Sequence, residues 1–511
     1  MTSPVRRGRR NWLRAAMCAL AAVTAMAVLT GCTTQKVAGQ PVAFGGIDTV
    51  TVGGLPIVDG PSGPKAGVAN ANLPVENTDH GEIDALAVNA VVDLQEYWTE
   101  HFQTDFNTRF VPISKLASWD SRSNKGVVLC QMDTKGQINA FYCSIDDVIA
   151  WDRGQLLPMI IKQFGEMAVV AVLAHEFGHA VQYRLAAAGS VTGLPEEALV
   201  NRNSPSIMLE QQADCYTGAF FRHVAEGGSK YFELSTGEGL NKAMATLFSI
   251  RDRVGSDFRG EQAHGSAFDR TAAFQIGFIE GPKRCASMSM KDIEPRLTEF
   301  AFKKKQDTGK GDLPVTADTV KVIEESLNAV FEDTGAQPPA VQTTPVQCPD
   351  GGNTEPVAYC PSTNTVSMDL EELARIATPP TPEGPFDVPP DFETGIGDFA
   401  AFGEIASRYV LSVQKAIGLE LSGETAGLRT ACLVGAWAGL LVEHPLNKRN
   451  PVGSLRISPG DMDEAVAELL TNRSLIAADV NGNAVKSGFA RVDALRMGFI
   501  EGAAPCTQKF E

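Results

Sequence analysis

Eight of the ten cysteines in this 511-residue chain fall into two sets of four. Cys130, Cys143, Cys215 and Cys285 are followed by Cys348, Cys360, Cys432 and Cys506, at offsets of 218, 217, 217 and 221 residues. So steady an offset points to an internal repeat. Ser266–Cys285 (SAFDRTAAFQIGFIEGPKRC) and Ser487–Cys506 (SGFARVDALRMGFIEGAAPC) agree at ten of twenty positions, where about one match is expected by chance from average residue usage. Asn139–Cys143 against Pro356–Cys360, and Cys215–Ala219 against Cys432–Ala436, keep the same register. The chain therefore reads as one domain of about 200 residues, an ordinary domain size, written twice in tandem. The copies span residues 81–307 and 315–511, joined near 308–314 where charge, Gly and Pro cluster.

The N-terminus speaks to compartment. Arg6, Arg7, Arg9, Arg10 and Arg14 precede an apolar run from Ala15 to about Leu29, the build of an export signal and short for a membrane span. It closes on Leu29-Thr30-Gly31-Cys32, which resembles a bacterial lipobox. Residues 1–31 are thus expected to be a lipoprotein signal peptide. Cys32 becomes the acylated first residue, anchoring the chain to the extracytoplasmic face of the cell membrane. Residues 32–80, rich in Gly, Pro, Val and Asn, read as a flexible tether.

Removing the signal, with its five Arg and no acid, takes the formal charge from −17 to −22. That argues against nucleic acid as a partner, because phosphate binding needs a basic face. An even number of cysteines in an exported chain favours disulfides. The parallel spacing points to Cys130–Cys143, Cys215–Cys285, Cys348–Cys360 and Cys432–Cys506, although spacing alone leaves connectivity open. Metal binding by these cysteines is the weaker rival, since none has C-x-x-C spacing.

Ile83–Phe102 places Leu86, Val88, Val91, Leu94 and Trp98 at helical spacing. Gly126–Asp152 holds the β-type runs VVLCQ and AFYC, which a hairpin would bring together. Glu166–Ala188 is a long apolar helix pattern stopped by Gly189. Ser204-Pro205 reads as an N-cap with Pro at the first helical position, opening a helix to about Ala225. The fold class is α+β, mostly helical, with a small β-sheet.

Chemistry gathers in the first copy. His175 and His179, in His175-Glu176-Phe177-Gly178-His179, lie four apart on a helix, so both rings leave one face about a turn apart. That spacing lets two imidazoles reach one zinc ion, with Glu176 beside it as general base on a water. Two unrelated surface histidines are the plain alternative. The apolar run Val169–Ala174 argues against them, because paired histidines in a buried helix need a reason. For the remaining ligand, Glu210 stands near the start of the next helix, with Asp214 one turn on to hydrogen-bond a ligating histidine. Equally, both could be ordinary solvated helix carboxylates.

The segments AHEFGHAVQ, LEQQADCYTGAF and HGSAFDR…C, in that order, resemble the neutral zinc metallopeptidase family of bacteria, and within it the actinobacterial lipoprotein peptidases. The resemblance covers about Ile83 to Cys285. It implies a gluzincin-type, zincin-like peptidase domain with one Zn2+ per chain on His175, His179 and Glu210. It also implies Glu176 as catalytic base and a protein or peptide substrate. His264 falls in the third segment, either as a donor to the oxyanion of the reaction or as a residue fixing the turn before a helix. Arg270 recurs as Arg491, which favours a structural role.

In the second copy Ser407–Leu411 stand opposite His175–His179. Gly427, Ala431 and Val485 stand opposite Glu210, Asp214 and His264. This copy keeps the residues of the fold and none of the chemistry, so binding, cleft shaping or regulation is its expected role. Two rival functions remain at this level: a scaffold lipoprotein with a structural zinc, and a zinc hydrolase acting on cell-wall amides.

Overall fold

Apolar stripes at helical spacing build the first half around α1 (Glu82–Thr104), α2 (Leu156–Phe164), α3 (Met167–Ala187), α4 (Ser206–Ala225), α5 (Glu238–Ser249) and α6 (Ala267–Glu280). A three-stranded sheet lies among them, made of β1 (Lys115–Trp119), β2 (Ala140–Cys143) and β3 (Val148–Asp152). Its order is β1-β3-β2, with β3 parallel to β1 and antiparallel to β2. The computed structural model describes residues 49–510, apart from 189–193, 200, 202, 261–262, 299–311, 350–351, 380–394 and 443–451. The expected signal segment, the expected acylation site Cys32, the expected helix stop at Gly189 and most of the join near 308–314 lie outside the described residues. No helix among those described is long and apolar enough to cross a membrane.

The second half carries α7 (Ala317–Phe331), α8 (Asp398–Ala416), α9 (Glu424–Leu441), α10 (Asp461–Leu470) and α11 (Gly488–Glu501). Its sheet, β4 (Ala340–Gln342), β5 (Val357–Cys360) and β6 (Thr365–Met368), has the order β4-β6-β5, again with one parallel and one antiparallel pairing. The fold is thus α+β and mostly helical, as read from the sequence.

One packing device occurs in both halves. A Cβ on Gly277 of α6 would fall 1.7 Å from the Cys215 carbonyl oxygen of α4. One on Gly218 would fall 1.9 Å from that of Phe274. The glycines therefore let two buried helices touch backbone to backbone. In the second half Gly498 meets the Cys432 carbonyl at 1.8 Å and Gly435 that of Leu495 at 2.0 Å. Cys215–Cys285 and Cys432–Cys506 close each pair, and Cys130–Cys143 and Cys348–Cys360 are bridged as well.

The halves are not separate bodies. Phe268 of α6 is buried in the core of the second half, and Phe489 of α11 in the core of the first. Gln275 Nε2 donates to the Phe489 carbonyl across the join at 2.8 Å. Both halves belong to one compact unit.

Three local expectations need correction. The tether predicted over residues 32–80 does not hold from residue 49 on, because this segment is laid onto the first half. Gly63-Pro64 pairs with Phe232-Glu233, Val52 is buried, and Asn89 Oδ1 and Thr236 Oγ1 accept the N–H groups of Ala71 and Val58. Composition reports a segment's own apolar content and says nothing of distant side chains that satisfy its backbone. Two hairpins, not one, occupy Gly126–Asp152: Val128–Leu129 with Met132–Asp133, and β2 with β3. α4 starts at Ser206 with Pro205 as its N-cap, while Ser204 Oγ accepts the Asn201 N–H.

The backbone contact at Gly498 yields a direct test. Gly498→Ala must push α11 off α9, and overpacking of this kind costs about 3 kcal/mol. A lower melting temperature with zinc stoichiometry unchanged is expected, read by thermal denaturation and metal analysis.

Candidate metal centre

α3 is apolar on every side from Met167 to Ala174, which drives it into the core. Gly178 lets it lie against α4, since a Cβ there would stand 2.9 Å from Ala213 Cα. That close approach brings His175 and His179 of α3 to Glu210 of α4, and their ligating atoms all lie within 4.8 Å of one another. His175 Nε2 and Glu210 Oε2 are 3.0 Å apart. His179 Nε2 is 3.5 Å from the other carboxylate oxygen.

Each ring is held from behind. His175 Nδ1 is 2.8 Å from Asp214 Oδ1, and Asp214 is wholly buried. Arg270 Nη2 donates to that same oxygen at 2.8 Å, while its Nη1 donates to the Ile250 carbonyl. His179 Nδ1 is 3.1 Å from Gln182 Oε1. Gln182 Nε2 donates to Leu209 O and Gln212 Oε1, which fixes the amide with its oxygen toward the ring. Both Nδ1 atoms therefore carry hydrogen, which leaves Nε2 of each ring, the nitrogen that faces Glu210, as the atom a metal would take once its proton is gone. Two imidazole nitrogens and one carboxylate on a shared focus, each buttressed from the rear, fit a zinc ion.

The electrostatics agree with that fit. Burial opposes charge on His175, but Asp214 and Glu210 outweigh it and push its pKa up to about 10. Burial likewise opposes ionisation of Glu210 and Asp214. The charges of His179 and His175 hold Glu210 below the usual carboxylate range, and Arg270 and His175 do the same for Asp214.

A cavity of about 830 Å³ opens over the group, lined by Glu176, His264, Arg251 and Asp252 among others. Glu176 Oε2 accepts the Tyr142 N–H of β2 at 2.9 Å, which ties the sheet edge to the helix and aims the carboxylate. His264 stands on the same cavity, half exposed, apart from the ligand group. Asp252 holds it, accepting the His264 N–H at 2.8 Å and lying 3.1 Å from Nδ1. His223, by contrast, packs among Tyr97 and Phe220 and has no part in the cavity.

Gln182, Asp252 and Arg270 are the residues that sequence reasoning missed. Gln182 and Arg270 recur in the second half, as Gln414 and Arg491, and recurrence reads as scaffold. Their work in the first half depends on partners that only this half has. In the second half the counterpart positions make scaffold contacts instead. The buried Arg408 guanidinium donates to the carbonyls of Asp479, Leu475 and Ala478, and its Nε to Ser407 Oγ. Gly427, opposite Glu210, abuts the Ala477 carbonyl.

Zinc takes a neutral ring, so binding near pH 7 should expel the His175 proton, read calorimetrically as a buffer-dependent heat. The raised His175 pKa stabilises the metal-free fold fully below about pH 6.5, the unfolded value. That stability is lost as pH rises toward about 10. Metal-free protein should therefore melt at lower temperature from pH 7 to 9, and zinc should raise the melting temperature more at the alkaline end. Asp214→Asn should weaken zinc about 10- to 100-fold, measured by competition with a chelator.

The family model described as putative neutral zinc metallopeptidase matches residues 26–288, which hold the whole centre and stop short of the second half. An uncharacterised protein of Mycobacterium tuberculosis H37Rv is 27% identical over 173 residues, 31% of this chain and 57% of its own length. The uncharacterised YpfJ protein of Escherichia coli K12 is 32% identical over 155 residues, 28% of this chain and 52% of its own. The chain spans about half the length of the curated relatives it matches. No solved structure matches it. With more than half of its residues matched by that model, the chain belongs to the putative neutral zinc metallopeptidase family.

Proposed function

We propose that the chain hydrolyses peptide bonds of a protein or peptide substrate at one zinc site in its first half, while anchored by acyl chains on Cys32 to the extracytoplasmic face of the membrane. The observation that carries this reading is the pairing of a buttressed His175–His179–Glu210 focus with Glu176 on the same open cavity. Zinc bound there supplies a Lewis acid that polarises the scissile carbonyl and acidifies water. Glu176, held by the Tyr142 N–H, takes the proton of the attacking water as the C–O bond forms and returns it to the amide nitrogen as the C–N bond breaks. His264, braced by Asp252, is positioned to donate to the substrate oxygen as it gains negative charge. A metal held only for structure would have no use for a carboxylate on the cavity wall.

The second half shapes this cleft. Arg251, on the cavity wall, forms a buried ion pair at 2.9 Å with Asp463 of α10. Asp463 also accepts the Phe268 N–H at the start of α6. Gly460, just before α10, sits against Val254 of the same wall.

Peptide-library cleavage by wild type and Glu176→Gln tests the chemistry. Turnover should fall by about 10²- to 10⁴-fold in the variant, with one zinc retained; equal activity on every substrate would sink the enzymatic reading. Cleavage confined to cell-wall amides would redirect the substrate class. Asp463→Ala removes the buried carboxylate paired with Arg251, at a cost of about 3–5 kcal/mol. It should lower kcat/KM while zinc stays bound, followed by kinetics alongside metal analysis.

A further inference from the structure

A second convergence of ligating atoms lies apart from the zinc ligands, between the end of the join and the second half. Asp312, on the chain entering α7, Asp398, the first residue of α8, and Glu464 of α10 bring carboxylate oxygens within 4.8 Å of one another. Asp461, one turn before Glu464, adds a fourth acid whose charge acts on Asp398 and Glu464. Gly397 makes room for the arrangement, since a Cβ there would fall 2.0 Å from Glu464 Cδ.

Four of the oxygens have backbone or hydroxyl donors as partners. Asp398 Oδ2 accepts the Leu313 N–H at 2.6 Å and Glu464 Oε2 the Phe399 N–H at 2.8 Å. Asp461 is held by Ser458 through both oxygens. The remaining oxygen of Asp398 is different. Asp398 is 2% exposed, and its Oδ1 has no hydrogen-bond partner among the described residues. A buried carboxylate oxygen with no donor of its own, on a residue grouped with other carboxylates, is costly unless a cation or a proton satisfies it. Burial first, and then the neighbouring acids, push the carboxyls of Asp398, Asp461 and Glu464 upward, Asp398 to about 6.

We propose that Asp312, Asp398 and Glu464 form a binding site for a hard divalent cation of the calcium type, separate from the zinc centre. All the donors are oxygens, which suit a hard ion and not zinc. Calcium bonds oxygen at about 2.3–2.6 Å, so two ligands of one ion stand up to about 5 Å apart, and the observed spread fits. An ion here ties the segment entering α7, the start of α8 and α10 together, and α10 is the helix that carries Asp463 to the cleft wall.

Calcium titration of the zinc-loaded full chain, by calorimetry and thermal melting near pH 7.5, tests this site. One Ca2+ per chain should bind, with a rise of several degrees in melting temperature. Asp398→Asn and Glu464→Gln keep the shape and the backbone acceptor but remove charge. Each should weaken Ca2+ at least tenfold while zinc binding is untouched, and Asp333→Asn, an exposed acid elsewhere, should change nothing. No saturable Ca2+ heat in the wild type, or equal binding in both variants, overturns the site. Variants that melt higher than a calcium-indifferent wild type would also overturn it, since the acids then share protons instead of an ion.

Discussion

Much of the first half is organised around the buried chain from Arg270 through Asp214 to His175. A guanidinium and a carboxylate, both essentially without solvent, are costly to bury apart and strongly held together. Their shared hydrogen bond places α6, α4 and α3 in one relation, because each helix contributes one member. The last member is the ring that faces Glu210, so helix packing and ligand orientation are one constraint. Loss of Asp214 would leave Arg270 charged in the core and His175 free to turn.

The same scaffold without that chain occurs a few hundred residues later. In both halves two glycines let a helix pair touch through its backbone, and a disulfide closes the pair. Such contacts depend on the absence of side chains and are indifferent to what the neighbouring faces carry. This explains how the second half can keep the architecture while Arg408, capped on three carbonyls, stands where the first half has Glu176 in the repeat. What the second half lends the first is mechanical: Phe489 completes the first core, and Asp463 fixes Arg251 on the cleft wall.

Regular patterning was readable wherever local rules governed. Ile83–Phe102 became α1 and Glu166–Ala188 became α3, because their apolar periodicity is long and uninterrupted, and the helix opened at Ser204-Pro205 became α4 with its start shifted to Ser206. The cysteine spacing pointed to the four bridges, and the structure fixed their connectivity. The segment 49–80 was misread because its order comes from Asn89, Ser235 and Thr236, far away in the chain. Asp252 gave no signal either, since its partner His264 lies across a loop and an isolated Asp carries no pattern.

From the sequence alone came the repeat, the parallel spacing of its cysteines and the residue types for a zinc site, since repeats, cysteine offsets and an i, i+4 histidine pair are statements about spacing along one chain. Tertiary structure alone decided how those residues work together. Gly178 against Ala213 brings Glu210 to the histidines, Gln182 and Asp214 choose which nitrogen each ring presents, and Asp463 reaches across from the other half. The reason is geometric. Helical periodicity gives a residue its face, but only packing between distant helices determines what that face meets.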